Sequence, residues 1–158
     1  MPPQPADHPD VQVFKEIQRI EHLARQSVSR CLPVGLTYPQ YEVLSLMIRY
    51  GDGITPAEIA RALDLTKNGL TNTLQRLSAR SLARVEPCAA DRRRKRVWLT
   101  PEGRQAYAQT MARVRPKIDG LRDGFTQKEF REALPFLKAL RSWLEGEPVA
   151  AAQRAEPA

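Results

Sequence analysis

A chain of 158 residues with 42% hydrophobic content has room for one compact domain, or a domain with an oligomerising extension. Its formal net charge of +7 points to polyanionic partners, and it has neither the apolar run of a signal peptide nor a stretch long enough to span a membrane. Cys31 and Cys88 lie 57 positions apart with no metal-type spacing and no histidine cluster, which argues against a metal site and for reduced thiols in the cytoplasm, with no cofactor.

Residues 1–9 carry four prolines and no apolar period, and are expected to form a disordered leader in which His8 needs no function. From Asp10, a reasonable N-cap, Val11, Phe14, Ile17, Ile20, Leu23 and Val28 recur at helical steps until Pro33 and Gly35 end the pattern. So long an apolar stripe needs a partner, either the rest of the fold or a second subunit. Thr37 caps a second helix with Pro39 in its first turn and Tyr41, Val43, Leu44, Leu46, Met47 and Ile48 on its inner side.

After the Gly51-Asp52-Gly53 turn, Thr55-Pro56-Ala57-Glu58 reads as cap, first-turn proline and capping-box carboxylate of a short helix through Ile59, Ala60 and Leu63. Thr66 caps the next helix, whose buried line is Leu70, Thr73, Leu74 and Leu77. Two helices this close, the second polar at its start, form a helix-turn-helix pattern. Residues 82–86 and 95–99 read as strands bracketing a loop; Arg94, Arg96 and Trp98 alternate with Lys95, Val97 and Leu99, so one face can pack inward. A helix then runs through Tyr107, Met111, Val114 and Ile118, with Pro116 a kink point and an interruption expected around Gly120 and Gly124. The last helix starts at Thr126 and Glu129 and carries Phe130, Leu134, Leu137, Leu140, Trp143 and Leu144, with a bend or break expected at Pro135. The Ala-, Glu- and Pro-rich tail, 147–158, is expected to be flexible.

The charge is not evenly spread. Between Arg61 and Arg96 there are ten Lys or Arg and three Asp or Glu, a surplus equal to that of the whole chain. A helix entering a major groove meets base edges with its first two turns, which must carry short polar side chains. Lys67, Asn68, Thr71, Asn72 and Gln75 have that character: Asn or Gln pairs with adenine, and Lys contacts guanine or phosphate. Gly69 lets the backbone approach closely, Arg76 adds a phosphate contact, and Thr66, Thr71 and Thr73 are candidate donors to phosphates. In the following loop, Asp91, Arg92, Arg93 and Arg94 have the chemistry of a minor-groove probe, with Arg93 as the inserted residue and Asp91 as its brace. An arginine run alone reads equally well as a solvated hairpin turn; the helix-turn-helix just upstream favours the probe.

These motifs resemble the MarR family of winged helix-turn-helix repressors. The family's helix-wing signature recurs as Leu65-Thr66-Lys67, Leu74-Gln75-Arg76-Leu77, Asp91-Arg92-Arg93 and Leu99-Thr100-Pro101-Glu102-Gly103-Arg104. The resemblance implies a mainly α fold with a small β-wing: a winged helix-turn-helix over 36–104 and a helical dimerisation region over 10–35 and 105–146. It further implies a homodimer gripping a pseudo-palindrome of double-stranded DNA, and a small anionic aromatic effector between the dimerisation and winged regions, where His22, Arg25, Tyr38 and Tyr41 are the candidates. Those four also read as one exposed helix residue, an arginine and two core tyrosines. Two departures stand out. Ser81 occupies the position where most members have glycine after the recognition helix. Leu36-Thr37-Tyr38-Pro39-Gln40-Tyr41 resembles the peroxide-sensing branch, yet that branch's reactive cysteine falls where Val13 and Phe14 stand here.

A competing reading is a redox- or ligand-responsive sensor switched through Cys31 or Cys88, with Cys31 better read as a buried thiol and Cys88 set among arginines. An enzyme is not expected: there are only two histidines, and no nucleophile set, glycine-rich phosphate loop or metal spacing.

Overall fold

The computed structural model describes residues 8–146. Its elements in order are α1 (Pro9–Ser29), α2 (Tyr38–Tyr50), α3 (Pro56–Ala62), α4 (Lys67–Ala79), β1 (Ala83–Pro87), β2 (Lys95–Leu99), α5 (Pro101–Asp119), a 3-10 turn (Gly120–Asp123) and α6 (Gln127–Leu144). They divide into two units, one ending at Val114 and the other starting at Arg115. Most of the expected leader and all of the expected tail lie outside the described residues.

In the first unit the buried apolar positions of α2, α3 and α4 meet those of the two strands. Val43, Leu44, Met47, Ile59, Leu77 and Val97 are wholly inaccessible, and Leu70, Leu74, Leu82 and Leu99 nearly so. The helix period places Leu70, Leu74 and Leu77 on one stripe of α4. Ile48 does not join the core as expected: it is exposed, because one further residue turns it about 100° away from Met47.

β1 and β2 pair antiparallel with Ala83 opposite Leu99 and Val85 opposite Val97. The first strand begins at Ala83 rather than Leu82, because the Leu82 N–H is taken by the Leu77 carbonyl at the end of α4. A bridge from Ile54 to Val97 ties the α2–α3 turn to the hairpin. Gly53 donates to the Val97 carbonyl there at 2.8 Å and has φ 80°, a conformation that favours glycine.

Local signals account for the helix starts. Thr55 and Thr66 accept from the N–H three residues on, and the Gln40 side chain accepts from Thr37 N–H at 3.0 Å. The N-cap of α1 lies two residues earlier than expected: His8 holds the cap position, Pro9 follows with its preset φ, and Asp10 accepts from Val11 N–H inside the first turn. α1 buries no residue completely; Val11, Ile20 and Leu23 are 41%, 62% and 47% exposed.

Two non-glycine residues in the left-handed region bracket α4. Asp64 (φ 51°) makes the turn between α3 and α4, a conformation that Asp tolerates. Ser81 (φ 57°) closes α4, so the left-handed cap persists without its glycine. Thr100 secures that corner: its hydroxyl donates to the Ser81 carbonyl at 2.6 Å and accepts from Gly103 N–H at 3.0 Å. Gly103 has no alternative, since a Cβ there would lie 2.0 Å from the Leu82 carbonyl oxygen. The Leu-Thr-Pro-Glu-Gly sequence is therefore a corner joint between β2, α4 and α5. Asp52 adds to it, accepting from Leu99 N–H and pairing with Arg104.

In the second unit, α6 is capped by Thr126 and runs unbroken through Pro135, against the expectation of a bend or break. The missing N–H leaves the Arg131 carbonyl to solvent, which is affordable on an exposed helix. α6 buries no residue, and Phe130, Leu134, Phe136, Leu137, Trp143 and Leu144 are all exposed.

Candidate nucleic-acid interface

The polar side of α4 follows from what its other side does. With Leu70, Leu74 and Leu77 committed to the core, Lys67, Asn68, Thr71, Asn72, Gln75 and Arg76 are exposed. Among the described residues, no hydrogen bond engages the side-chain amides of Asn68, Asn72 or Gln75. The start of the helix is held by Thr66, whose oxygen accepts from Gly69 N–H at 3.1 Å. Gly69 has a local reason to be small as well: a Cβ there would meet the Thr66 oxygen at 3.0 Å.

Two of the three threonines expected as phosphate donors are otherwise occupied. Thr71 donates its hydroxyl proton to the Lys67 carbonyl at 2.8 Å and Thr73 to the Gly69 carbonyl at 3.0 Å, each four residues back along the helix. Thr73 is also half-buried. Only Thr66 keeps a hydroxyl proton that none of the described contacts takes.

The wing tip, 88–94, is closed by Cys88 N–H to the Arg94 carbonyl at 2.7 Å and Arg94 N–H to the Asp91 carbonyl at 2.9 Å. Asp91 does not pair with the Arg93 guanidinium. Its carboxylate accepts from the Arg93 backbone N–H at 2.9 Å and lies 3.8 Å from the Arg94 side chain. The reason is local: an Asp two residues ahead of an amide fits an Asx turn, leaving its outer oxygen for the next side chain. Asp91 thus braces the turn, and the Arg93 guanidinium has no carboxylate partner among the described residues. Arg92, Arg93 and Arg94 are all exposed.

Between wing and helices lies a cleft of about 970 Å³, lined by the start of α3, by Lys67, Leu70 and Thr71 of α4, and by Arg93, Arg94, Lys95 and Arg96. Five cations line it against one acid, Glu58. That carboxylate is already engaged by the Thr55 hydroxyl and N–H, at 2.7 and 2.8 Å, and these bonds hold it below the usual carboxylate range. A cleft with this charge suits a phosphodiester strand. Lys95 and Arg96 were not among the sequence candidates. Arg96 shares a period-2 face with Arg94, which is the available signal; Lys95 shares the face of the inward residues Val97 and Leu99 and is exposed at the strand's first position. Arg96 is fixed by donating to the Gly53 carbonyl at 2.6 Å.

Cys31 is buried, with its thiol donating to the Arg113 carbonyl at 3.7 Å. Cys88 differs: hydrogen bonding from the Ala90 backbone, then from the Arg96 side chain and the Asp91 backbone, pulls its pKa down. The four effector candidates converge only in part. The Arg25 guanidinium stands 4.9 Å from the Tyr38 ring centre while paired with Glu21 at 2.6 Å. Tyr41 stacks on Tyr107 and donates to Met111 sulfur, and exposed His22 hydrogen-bonds Gln26. None of the four lines the cleft. No group of three or more metal-ligating side chains occurs among the described residues, and none of their helices is long and apolar enough to cross a membrane.

Known proteins share this fold. A MarR family profile matches residues 34–94. The chain is 38% identical over 97 residues to the transcriptional regulator HosA of Escherichia coli, covering 60% of this chain and 70% of HosA. The fold matches that of CouR, a transcriptional repressor solved bound to a 23-mer DNA duplex, with a TM-score of 0.67 and 25% identity over 80% of this chain and 89% of CouR. It also matches Bordetella bronchiseptica BpsR, whose DNA binding is regulated by 6-hydroxynicotinic acid, with a TM-score of 0.70 and 23% identity over 82% of this chain and 98% of BpsR.

Proposed function

Because the chain belongs to the MarR family and is a DNA-binding transcriptional regulator, we propose that it acts as a homodimeric repressor of a pseudo-palindromic operator. In this reading α4 lies in the major groove and the wing in the minor groove of each half-site. The observation that carries it is the cationic cleft between Lys67 and Thr71 at the start of α4 and Arg93 and Arg94 of the wing. A base reader and a groove probe stand on either side of a seat for the intervening phosphates. Lys67, Arg76, Arg92, Arg93 and Arg94 supply the salt-dependent part of the affinity, with Thr66 donating at the start of the helix. Symmetry is supported by the apolar residues of α1 and α6 that remain exposed in a single chain. A regulator of this kind works where DNA and reduced thiols coexist, in the cytoplasm.

Selection of bound duplexes from a random pool at two salt concentrations tests the reading. The expected product is an inverted repeat enriched at both salts, with affinity falling steeply as salt rises; enrichment of a single unpaired motif would remove the symmetric dimer.

The lowered pKa of Cys88 and its contact with Arg96 favour a second reading, in which peroxide oxidation of this wing thiol loosens the Arg96 contact and releases DNA. Cys31, buried against α5, is not the sensor in it. A Cys88→Ser variant whose DNA release by peroxide matches wild type eliminates this switch. For a small anionic aromatic effector, the favoured seat is Arg25 above Tyr38, with Tyr41 beside it and His22 one turn back along α1; binding there must displace Glu21 from Arg25. Arg25→Ala should then abolish calorimetrically detectable binding of aromatic carboxylates.

A further inference from the structure

Besides Lys67, four exposed side chains on the first turns of α4 can reach base edges without crossing the core: Asn68, Thr71, Asn72 and Gln75. Three end in carboxamides, and the fourth differs in kind. Because the Thr71 hydroxyl is turned back onto the Lys67 carbonyl at 2.8 Å, the γ-methyl is the group that this side chain turns outward. We infer that Thr71 is a specificity-determining residue that selects thymine by packing its methyl against the thymine 5-methyl group. The inference rests on α4 being the major-groove reader.

The chemistry of the neighbouring side chains agrees with this choice. A carboxamide pairs bidentately with N6 and N7 of adenine, and an A·T pair presents the thymine methyl in the same groove. One methyl among three amides therefore matches an A·T-containing half-site, in which the amides take adenine and the methyl takes thymine. The alternative role for Thr71, donation to a phosphate or base acceptor, requires breaking an intrahelical bond that the free chain already makes. Thr71 also faces the cleft beside Lys67, so its neighbour can take the phosphate while the methyl reads the base.

The test uses the full-length chain and its own selected duplex. Random-pool selection is run with wild type, Thr71→Val and Thr71→Ser; each thymine of the enriched duplex is then exchanged for uracil, which removes the methyl and keeps the pairing. One thymine per half-site should be sensitive, with its exchange costing about fourfold in affinity per half-site, the worth of one buried methyl. Thr71→Val should keep that sensitivity, and Thr71→Ser should bind the thymine and uracil duplexes alike. The position is exposed, so the melting temperature serves as the control that all three chains are folded. If wild type enriches no sequence at all, the DNA-reading function falls and the inference with it. An enriched sequence indifferent to every exchange overturns the inference alone, as does recognition that survives in Thr71→Ser and is lost in Thr71→Val.

Discussion

Helices α4 and α6 obey the same local rules and come to different ends. Each begins at a threonine whose oxygen accepts the N–H three residues on. Each closes on a left-handed residue, Ser81 with φ 57° for α4 and Gly146 with φ 77° for α6. Each is amphipathic, yet α4 buries Leu70, Leu74 and Leu77 to 5% exposure or less, while on α6 Leu134, Leu137 and Trp143 are 48%, 44% and 62% exposed. Capping and periodicity thus write a helix into a sequence, but burial belongs to whatever the helix meets. The apolar face of α4 meets its own chain. That of α6 is, in our proposal, completed by a second copy.

The comparison can be broken most forcefully at its apolar faces. Leu77→Ala in α4 should cost about 3 kcal/mol in thermal or denaturant unfolding, because the site is fully enclosed and the cavity cannot collapse. The corresponding change on α6, Leu137→Glu, should split the assembly in sedimentation experiments and lower operator affinity through lost avidity; an unchanged sedimentation coefficient would mean that α6 is not the shared face. Next in size is the wing. Arg93→Ala should weaken operator binding by about 2 kcal/mol per half-site with no change in melting temperature, since its guanidinium pairs with no carboxylate among the described residues. Asn72→Ala should relax base preference more than it lowers non-specific affinity, as read by competition with unrelated DNA.

Two smaller changes sharpen the likeness between the helices. Ser81→Gly gives α4 the same cap residue as α6 and should raise stability by about 1 kcal/mol, by relieving the left-handed backbone. The N-termini differ in one respect: the third residue of α6 is Glu129, where α4 has Gly69. Hydrogen bonds from Thr126 N–H and then its hydroxyl hold Glu129 below the usual carboxylate range. A carboxyl lowered in the folded state contributes stability above its ordinary pKa and loses it as pH falls through the depressed value. The hydrogen-exchange protection of the first turn of α6 should therefore fade in acid, more weakly in Glu129→Gln, while the start of α4 stays indifferent.

The helix starts at Thr37, Thr55, Thr66 and Thr126 are legible in the sequence because a cap, its acceptor and the following apolar period all lie within a few residues. The core stripe of α4 and the second strand, 95–99, are legible for the same reason. What escapes depends on partners distant along the chain or on single torsions. Lys95 and Arg96 become part of the cleft only when the hairpin folds beside α3. Asp91 has three arginines to choose from, and which one it pairs with is decided by the turn's backbone. Thr71 and Thr73 read as free donors until the helix supplies carbonyls four residues back. Ser81 looks like a departure from the family pattern in sequence; in the fold it takes the glycine's conformation regardless.

The corner built by Thr100, Gly103 and Asp52 has a consequence for how this protein can change over generations. Both ends of the hairpin are fastened at its base, and residues 88–94 contribute nothing to the core cluster. The tip is an exchangeable cassette. Adding or removing a pair of residues there alters its reach by about 3.3 Å per residue on each arm and leaves the frame's packing untouched. New target spacings can then be explored through the tip while the corner is inherited unchanged.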